Sequence, residues 1–268
     1  MKNLMNLFVL IAFAVFGTAA FAAMNGPTGL ALDAKGNLYV ANFNSNQILI
    51  YSPQHQLLKS KFVTPDLSGP IAVAVDPLGN LWVANFKSSA ITQYDNRGHE
   101  LSSVSNGVSS PTGMAMDGAA NLWVINGASA LAIFDANGTL TRSADAGIIP
   151  GASTLTSVAA FDGAIGIGNN SETFQMYETP FIAYGGAGGV LMPARKGVAV
   201  AYDNTGDLWI AESDGTVYIY ESLNLISLGY PPSGMVIDSV HKLAYFSNNL
   251  ANRVDVYTTS GKYVTTIH

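Results

Sequence analysis

The sequence predicts an all-β fold, a six-bladed β-propeller of four-stranded antiparallel blades, on three observations. A short apolar strand ending in Asp recurs at Asp33, Asp76, Asp117, Asp162, Asp203 and Asp238, at intervals of about 35 to 45 residues, the length of one propeller blade. Each such strand is followed by a second and a third with an aromatic at a constant place. No segment carries the apolar spacing of an amphipathic helix.

Each element of the repeat has a physical reason. After the Asp comes turn chemistry, as in "DAKGN", "DPLGN" and "DNTGD", with Gly where a tight hairpin requires a left-handed residue. Second strands then end at Asn42, Asn85, Asn126, Asn169, Glu212 and Asn248, and hold Tyr39, Trp82, Trp123, Trp209 and Tyr245 in one register. Third strands end at Tyr51, Tyr94, Phe134, Tyr177, Tyr220 and Tyr257. Outer strands such as "QLLKSKF" and "KYVTTI" are more weakly marked. Strands without strict alternation imply sheets covered on both faces, as blades are by their neighbours. Small residues in the inner strands, Ala31, Ala74, Ala115, Ala160, Ala201 and Val236, fit the taper toward the ring axis. Repeat four departs from the pattern, with a shorter hairpin, Gly166 in the aromatic's place and a glycine-rich stretch at 185–189, so this blade is expected to be the loosest.

Composition narrows the function. The chain is 49% hydrophobic and 11% charged, well below the roughly 25% charged of ordinary soluble proteins, so its surface is built from uncharged polar residues. A net charge of −6, with 12 Lys and Arg dispersed along the chain, argues against a nucleic-acid partner. The absence of Cys excludes disulfides, thiolate metal sites and a thiol nucleophile. Residues 1–22 read as a secretory leader, with Lys2 as its positive end, 7–16 as its apolar stretch and a cleavage site before Ala23. The mature domain is then 23–268, secreted or periplasmic. The alternative is an uncleaved anchor that leaves the domain extracytoplasmic.

The units "GPTGLALDAKGNLYVANFNSNQILIYS" and "SGMVIDSVHKLAYFSNNLANRVDVY" resemble NHL repeats, whose propellers are commonly six-bladed. Asn46-Gln47-Ile48 and Asn252-Arg253-Val254 stand where the signature of that repeat falls. The resemblance spans about 24–268 and implies ligand binding at one end of the channel, where the loops entering the inner strands meet those joining second to third strands. Candidate residues on that face are the strand ends Asn42, Asn85, Asn126, Asn169, Glu212 and Asn248, the basic pair Arg195 and Lys196, and Phe43 and Phe86. The competing reading of the Asn residues is local: their side chains cap neighbouring backbone.

The chain also resembles gluconolactonase-type and streptogramin-lyase-type propellers. The first resemblance implies carboxylate and amide ligands to a divalent cation, yet Thr28, Ile71, Thr112, Ser157, Lys196 or Val198, and Ser233 precede the inner strands, with no carboxylate among them. The second implies central His residues, whereas His55, His99, His241 and His268 fall in peripheral turns or at the terminus. No cofactor, metal or catalytic residue is therefore expected. The expectation is a monomeric, non-catalytic binding or scaffold module whose partner is a protein, peptide or carbohydrate. The alternative is a lactonase- or lyase-type enzyme with an altered site near Glu212.

Overall fold

The computed structural model describes residues 23–58, 67–127, 130–145, 154–161, 164–169, 173–178, 190–193, 197–219 and 225–268. These form six antiparallel sheets of four strands each, consecutive in the chain. The first blade comprises Pro27–Leu32, Leu38–Asn42, Gln47–Tyr51 and Leu57–Leu58, with a short 3-10 turn at Phe43–Ser45. The inner strands of the other blades are Pro70–Val75, Pro111–Met116, Leu155–Phe161, Gly197–Tyr202 and Gly234–Asp238. Each packs against the next in order, and the sixth packs against the first, so the ring closes.

The recurrent Asp organises the first hairpin of its blade. Asp33 Oδ1 accepts the backbone N–H of Lys35 at 2.9 Å and of Asn37 at 2.8 Å, while Oδ2 accepts the Asn37 amide at 2.7 Å. Asp76 and Asp117 repeat all three bonds, and Asp203 repeats the two backbone ones. The second oxygen also faces the aromatic six residues on: Trp123 Nε1 donates to Asp117 at 2.9 Å, and Trp82 and Trp209 to their own Asp at 3.4 and 3.3 Å. One carboxylate thus fixes a turn and aims a large ring. Asp162 lies outside the described residues.

The ring then fills the space toward the next blade. Trp82 of blade two packs with Met114, Leu122 and Phe134 of blade three, and Tyr39 of blade one with Val73, Leu81 and Tyr94 of blade two. Second strands such as Leu38–Asn42 and Leu81–Asn85 are buried at every position, as sheets covered on both faces must be. The register pairs Ala31 with Tyr39, Ala74 with Trp82, Ala115 with Trp123 and Ala201 with Trp209. The inner-strand alanines are therefore small because a bulky ring sits directly across the strand pair.

Blade four departs by one position. Gly166 pairs with Ala159, while Ala160 pairs with Ile165, so Ala159 takes the place that the repeat alignment assigns to Ala160. With no aromatic at Gly166, Phe161 reaches over Gly206 of blade five and lies 6.0 Å from the Tyr202 ring. The 185–189 stretch lies outside the described residues, as does Tyr220, and the expected looseness of this blade stays an expectation.

The seam between blades six and one exchanges no strand. It rests on a shared core, in which Leu30, Val40, Leu49 and Tyr51 meet Tyr245, Val254, Val256 and Ile267, and on polar ties. Ser247 Oγ donates to the Thr28 carbonyl at 2.6 Å, and the Gly26 N–H donates to Asn252 Oδ1 at 2.7 Å. The strands approach so closely that a Cβ on Gly234 would lie 2.3 Å from the Thr28 carbonyl oxygen, which restricts that position to glycine.

Candidate functional site

The loops entering the inner strands and the loops joining second to third strands form one face of the ring. The Asn residues at the strand ends hold these loops together. Asn42 Oδ1 accepts the Asn25 N–H at 2.6 Å and its amide donates to the Ala23 carbonyl at 3.2 Å. Asn85 accepts the Ser68 N–H at 3.0 Å and donates to Thr92 Oγ1 at 3.2 Å. Asn126 accepts from Ser109 N–H at 3.1 Å and donates to the Gly107 carbonyl at 2.6 Å, and Asn248 accepts from Ala251 N–H at 3.0 Å. Asn42 and Asn85 are fully buried and Asn248 nearly so. Their hydrogen-bonding capacity is engaged in fixing the loops beneath the face.

Asn169 ends the strand Ala164–Asn169, but its side chain is outside the described residues. Glu212 ends Leu208–Glu212, is partly exposed, and accepts the Gly215 N–H at its carbonyl. Arg195 and Lys196 lie outside the described residues, so the structure does not place them relative to Glu212.

Phe43 and Phe86, by contrast, are brought together. Their ring centroids are 6.2 Å apart at 56°, and Lys87 Nζ lies 5.0 Å above the Phe43 ring, within cation–π range. Phe86 is exposed and Phe43 half-buried. The backbone anchors both rings: Phe43 N–H donates to the Gly26 carbonyl at 3.0 Å and Phe86 N–H to the Gly69 carbonyl at 2.9 Å. Gly69, at φ 61°, lies beneath them, and a Cβ there would come within 2.8 Å of Lys87 Cγ. Its N–H donates to Asn46 Oδ1 at 2.7 Å.

That last bond shows what the repeat signature does. Asn46 and Asn252 both adopt left-handed backbone, at φ 51° and 52°, and each accepts an N–H from the loop entering the next blade. Ser89, at φ 51°, serves in the same way toward Ser110. The positions are legible in sequence from the signature, but their role between blades is not.

At the loop-face end the channel narrows to a space of about 70 Å³ lined by all six inner strands. Thr112, Thr156, Ser157 and Ser233 bring hydroxyls to it, and the Ser157 and Ser233 oxygens are buried without a partner among the described residues. The space suits about two water molecules at roughly 30 Å³ each. The histidines lie elsewhere: His99 Nδ1 sits 3.0 Å from Asp95, His241 Nδ1 2.7 Å from Asp238, and His55 Nε2 3.3 Å from the Tyr245 hydroxyl across the closing seam. Among the described residues no three His, Asp or Glu side chains converge as a metal site would require.

Six meandering sheets around a narrow channel define a β-propeller. Within it the NHL repeat matches residues 24–51, which include the first Asp hairpin, Asn42 and the signature Asn46. No curated protein matches the chain. Among solved structures, the chain is similar to a streptogramin B lyase, at 16% identity and a TM-score of 0.64 over 92% of this chain and 84% of that one. It is similar to the hydrazine synthase of Kuenenia stuttgartiensis at 19% identity and a TM-score of 0.65, over 88% of this chain and 84% of that one. A gluconolactonase from Xanthomonas campestris is similar at 15% identity and a TM-score of 0.62, covering 84% of each chain. At these identities the likeness concerns the fold.

Proposed function

We propose that this protein is an exported, non-catalytic binding or scaffold module that takes a peptide, a protein or a carbohydrate on its loop face. The observation that carries the reading is the Phe43, Phe86 and Lys87 cluster, where an exposed and a half-buried ring project from hydrogen-bonded loop backbone beside a cation. Rigid aromatics at a surface lose little conformational entropy on binding and can stack on a sugar face or a partner's side chain. What favours binding over the lyase or lactonase chemistry of its structural neighbours is the placement of the reactive groups. The carboxylates of Asp33, Asp76, Asp117 and Asp203 hold hairpins, and three histidines sit on Asp95, Asp238 and Tyr245.

The test is a glycan and peptide array probed with the wild-type protein and a Phe43→Ala/Phe86→Ala variant. The expected result is at least one ligand class whose signal falls about tenfold or more in the variant at an unchanged melting temperature. Ligands retained in full by the variant overturn the assignment of the face, and turnover that depends on Glu212 or on an added divalent ion overturns the non-catalytic reading. Export is tested by the mature N-terminus, which is expected at Ala23, where the Asn42 amide holds the backbone.

A further inference from the structure

A wide cleft lies on the face opposite the proposed site. Between the first hairpins of blades one and two is a cavity of about 710 Å³, ten times the space at the loop-face channel end and within the roughly 300–1,000 Å³ of small-molecule sites. Its walls combine charged and amide groups with an apolar part, in which Tyr39 and Ile50 are buried and Leu58 and Leu78 remain exposed at 40% and 85%. Exposed leucines facing a cavity are more informative than leucines scattered singly over a surface.

Two cations flank the cleft, Lys35 from the blade-one hairpin and Arg97 from the third turn of blade two. Both are exposed, and neither makes an ion pair among the described residues. The two carboxylates of the same wall are already engaged. Asp33 accepts two backbone N–H groups and the Asn37 amide, and Asp76 accepts two backbone N–H groups, the Asn80 amide and Gln93 Nε2. Asp33 and Asp76 keep their charge, but their lone pairs are taken up by these neutral donors, so Lys35 and Arg97 are the groups of this cleft with hydrogen-bond donors to offer an added anion.

We infer that this cleft binds an amphipathic anion, a small molecule with a carboxylate, sulfonate or phosphate group held by Lys35 and Arg97 and an apolar body lying against Leu58, Ile50 and Leu78. Arg97 presents a planar fork suited to such a group, and Lys35 adds a point charge from the other blade. The site is independent of the loop-face cluster and stands or falls separately from it.

Anilinonaphthalene sulfonate is the direct probe, because it carries one sulfonate on an apolar body and fluoresces when shielded from water. The folded protein is expected to bind it saturably. Lys35→Gln and Arg97→Gln are each expected to weaken binding roughly fivefold to tenfold at unchanged melting temperature, and Leu78→Ser to weaken it as well. Added salt should reduce the affinity, and the neutral N-phenylnaphthylamine should bind less tightly. Absence of saturable binding overturns the inference. So does an affinity unchanged by Lys35→Gln and Arg97→Gln, and so does a loss caused instead by Lys87→Gln, which would move the probe to the loop face.

Discussion

Trp82 and Trp123 occupy the same place in successive blades, yet their ties differ in quality. Both are buried, but the indole of Trp123 donates to Asp117 at 2.9 Å whereas that of Trp82 stands 3.4 Å from Asp76, at the outer limit of a hydrogen bond. Trp82→Ala is expected to cost about 3 to 5 kcal/mol through lost packing, read from denaturant unfolding. Trp123→Phe should cost a further-reaching polar penalty of about 1 to 2 kcal/mol, because it removes a donor from a buried carboxylate, and Trp82→Phe should cost less. Equal losses for the two Phe variants would show that the Asp contact contributes nothing beyond packing. The burial of both rings was legible from their shared register. The Asp partner was not, since a carboxylate six residues upstream becomes a neighbour only once the hairpin has folded back.

At the scale of the element, the first hairpins place glycine in left-handed backbone at Gly36, Gly79 and Gly206, at φ 77°, 83° and 89°. Blade three has Ala120 there at φ 62°. An L-residue in that region is strained by roughly 1 to 2 kcal/mol, partly offset by the greater freedom of glycine in the unfolded chain. Ala120→Gly is therefore expected to stabilise the protein by about 0.5 to 1 kcal/mol in a chemical melt, and a loss of stability would refute this account of the turn. Turn chemistry of this kind was readable from "DAKGN" and its relatives. The one-residue displacement of blade four was not, because Ala159 and Ala160 are interchangeable as letters and only the pairing of Ala159 with Gly166 separates them.

For the whole molecule, the ring closes through contacts between residues some 220 positions apart, including Ser247 with Thr28 and Asn252 with Gly26. Asn46 makes the same bond as Asn252 within the chain's first repeats, to Gly69. Loss of either side chain is expected to cost about 1 kcal/mol. Asn252→Ala alone should raise hydrogen exchange together in blades one and six, since it loosens the seam, whereas Asn46→Ala should act between blades one and two. His55 lies in the same seam against Tyr245, and burial holds its pKa below the usual 6.5. The unfolded chain therefore binds a proton there before the folded chain does. The stability that His55 contributes is complete above about pH 6.5 and declines as the pH falls through its lower folded pKa. His55→Gln is expected to flatten the acid limb of the stability profile, measured by urea unfolding at a series of pH values, and an unaltered limb would remove His55 as its cause.

The repeat, the strand order within a blade and the burial of the aromatics follow from the sequence alone, because they depend on local turn chemistry and on which residues avoid water. The partners of those residues depend on the folded ring. Asn42 and Asn85 are the same letter in the same place whether they face a ligand or hold a loop, and only the position of the Asn25 and Ser68 N–H groups assigns them to the loops. Phe43, Phe86 and Lys87 become one cluster, and Lys35 and Arg97 the two flanks of one cleft, because blades one and two pack side by side. Proximity between neighbouring blades is a property of the packed ring, and pairs such as Ser247 with Thr28 acquire it only when the last inner strand meets the first.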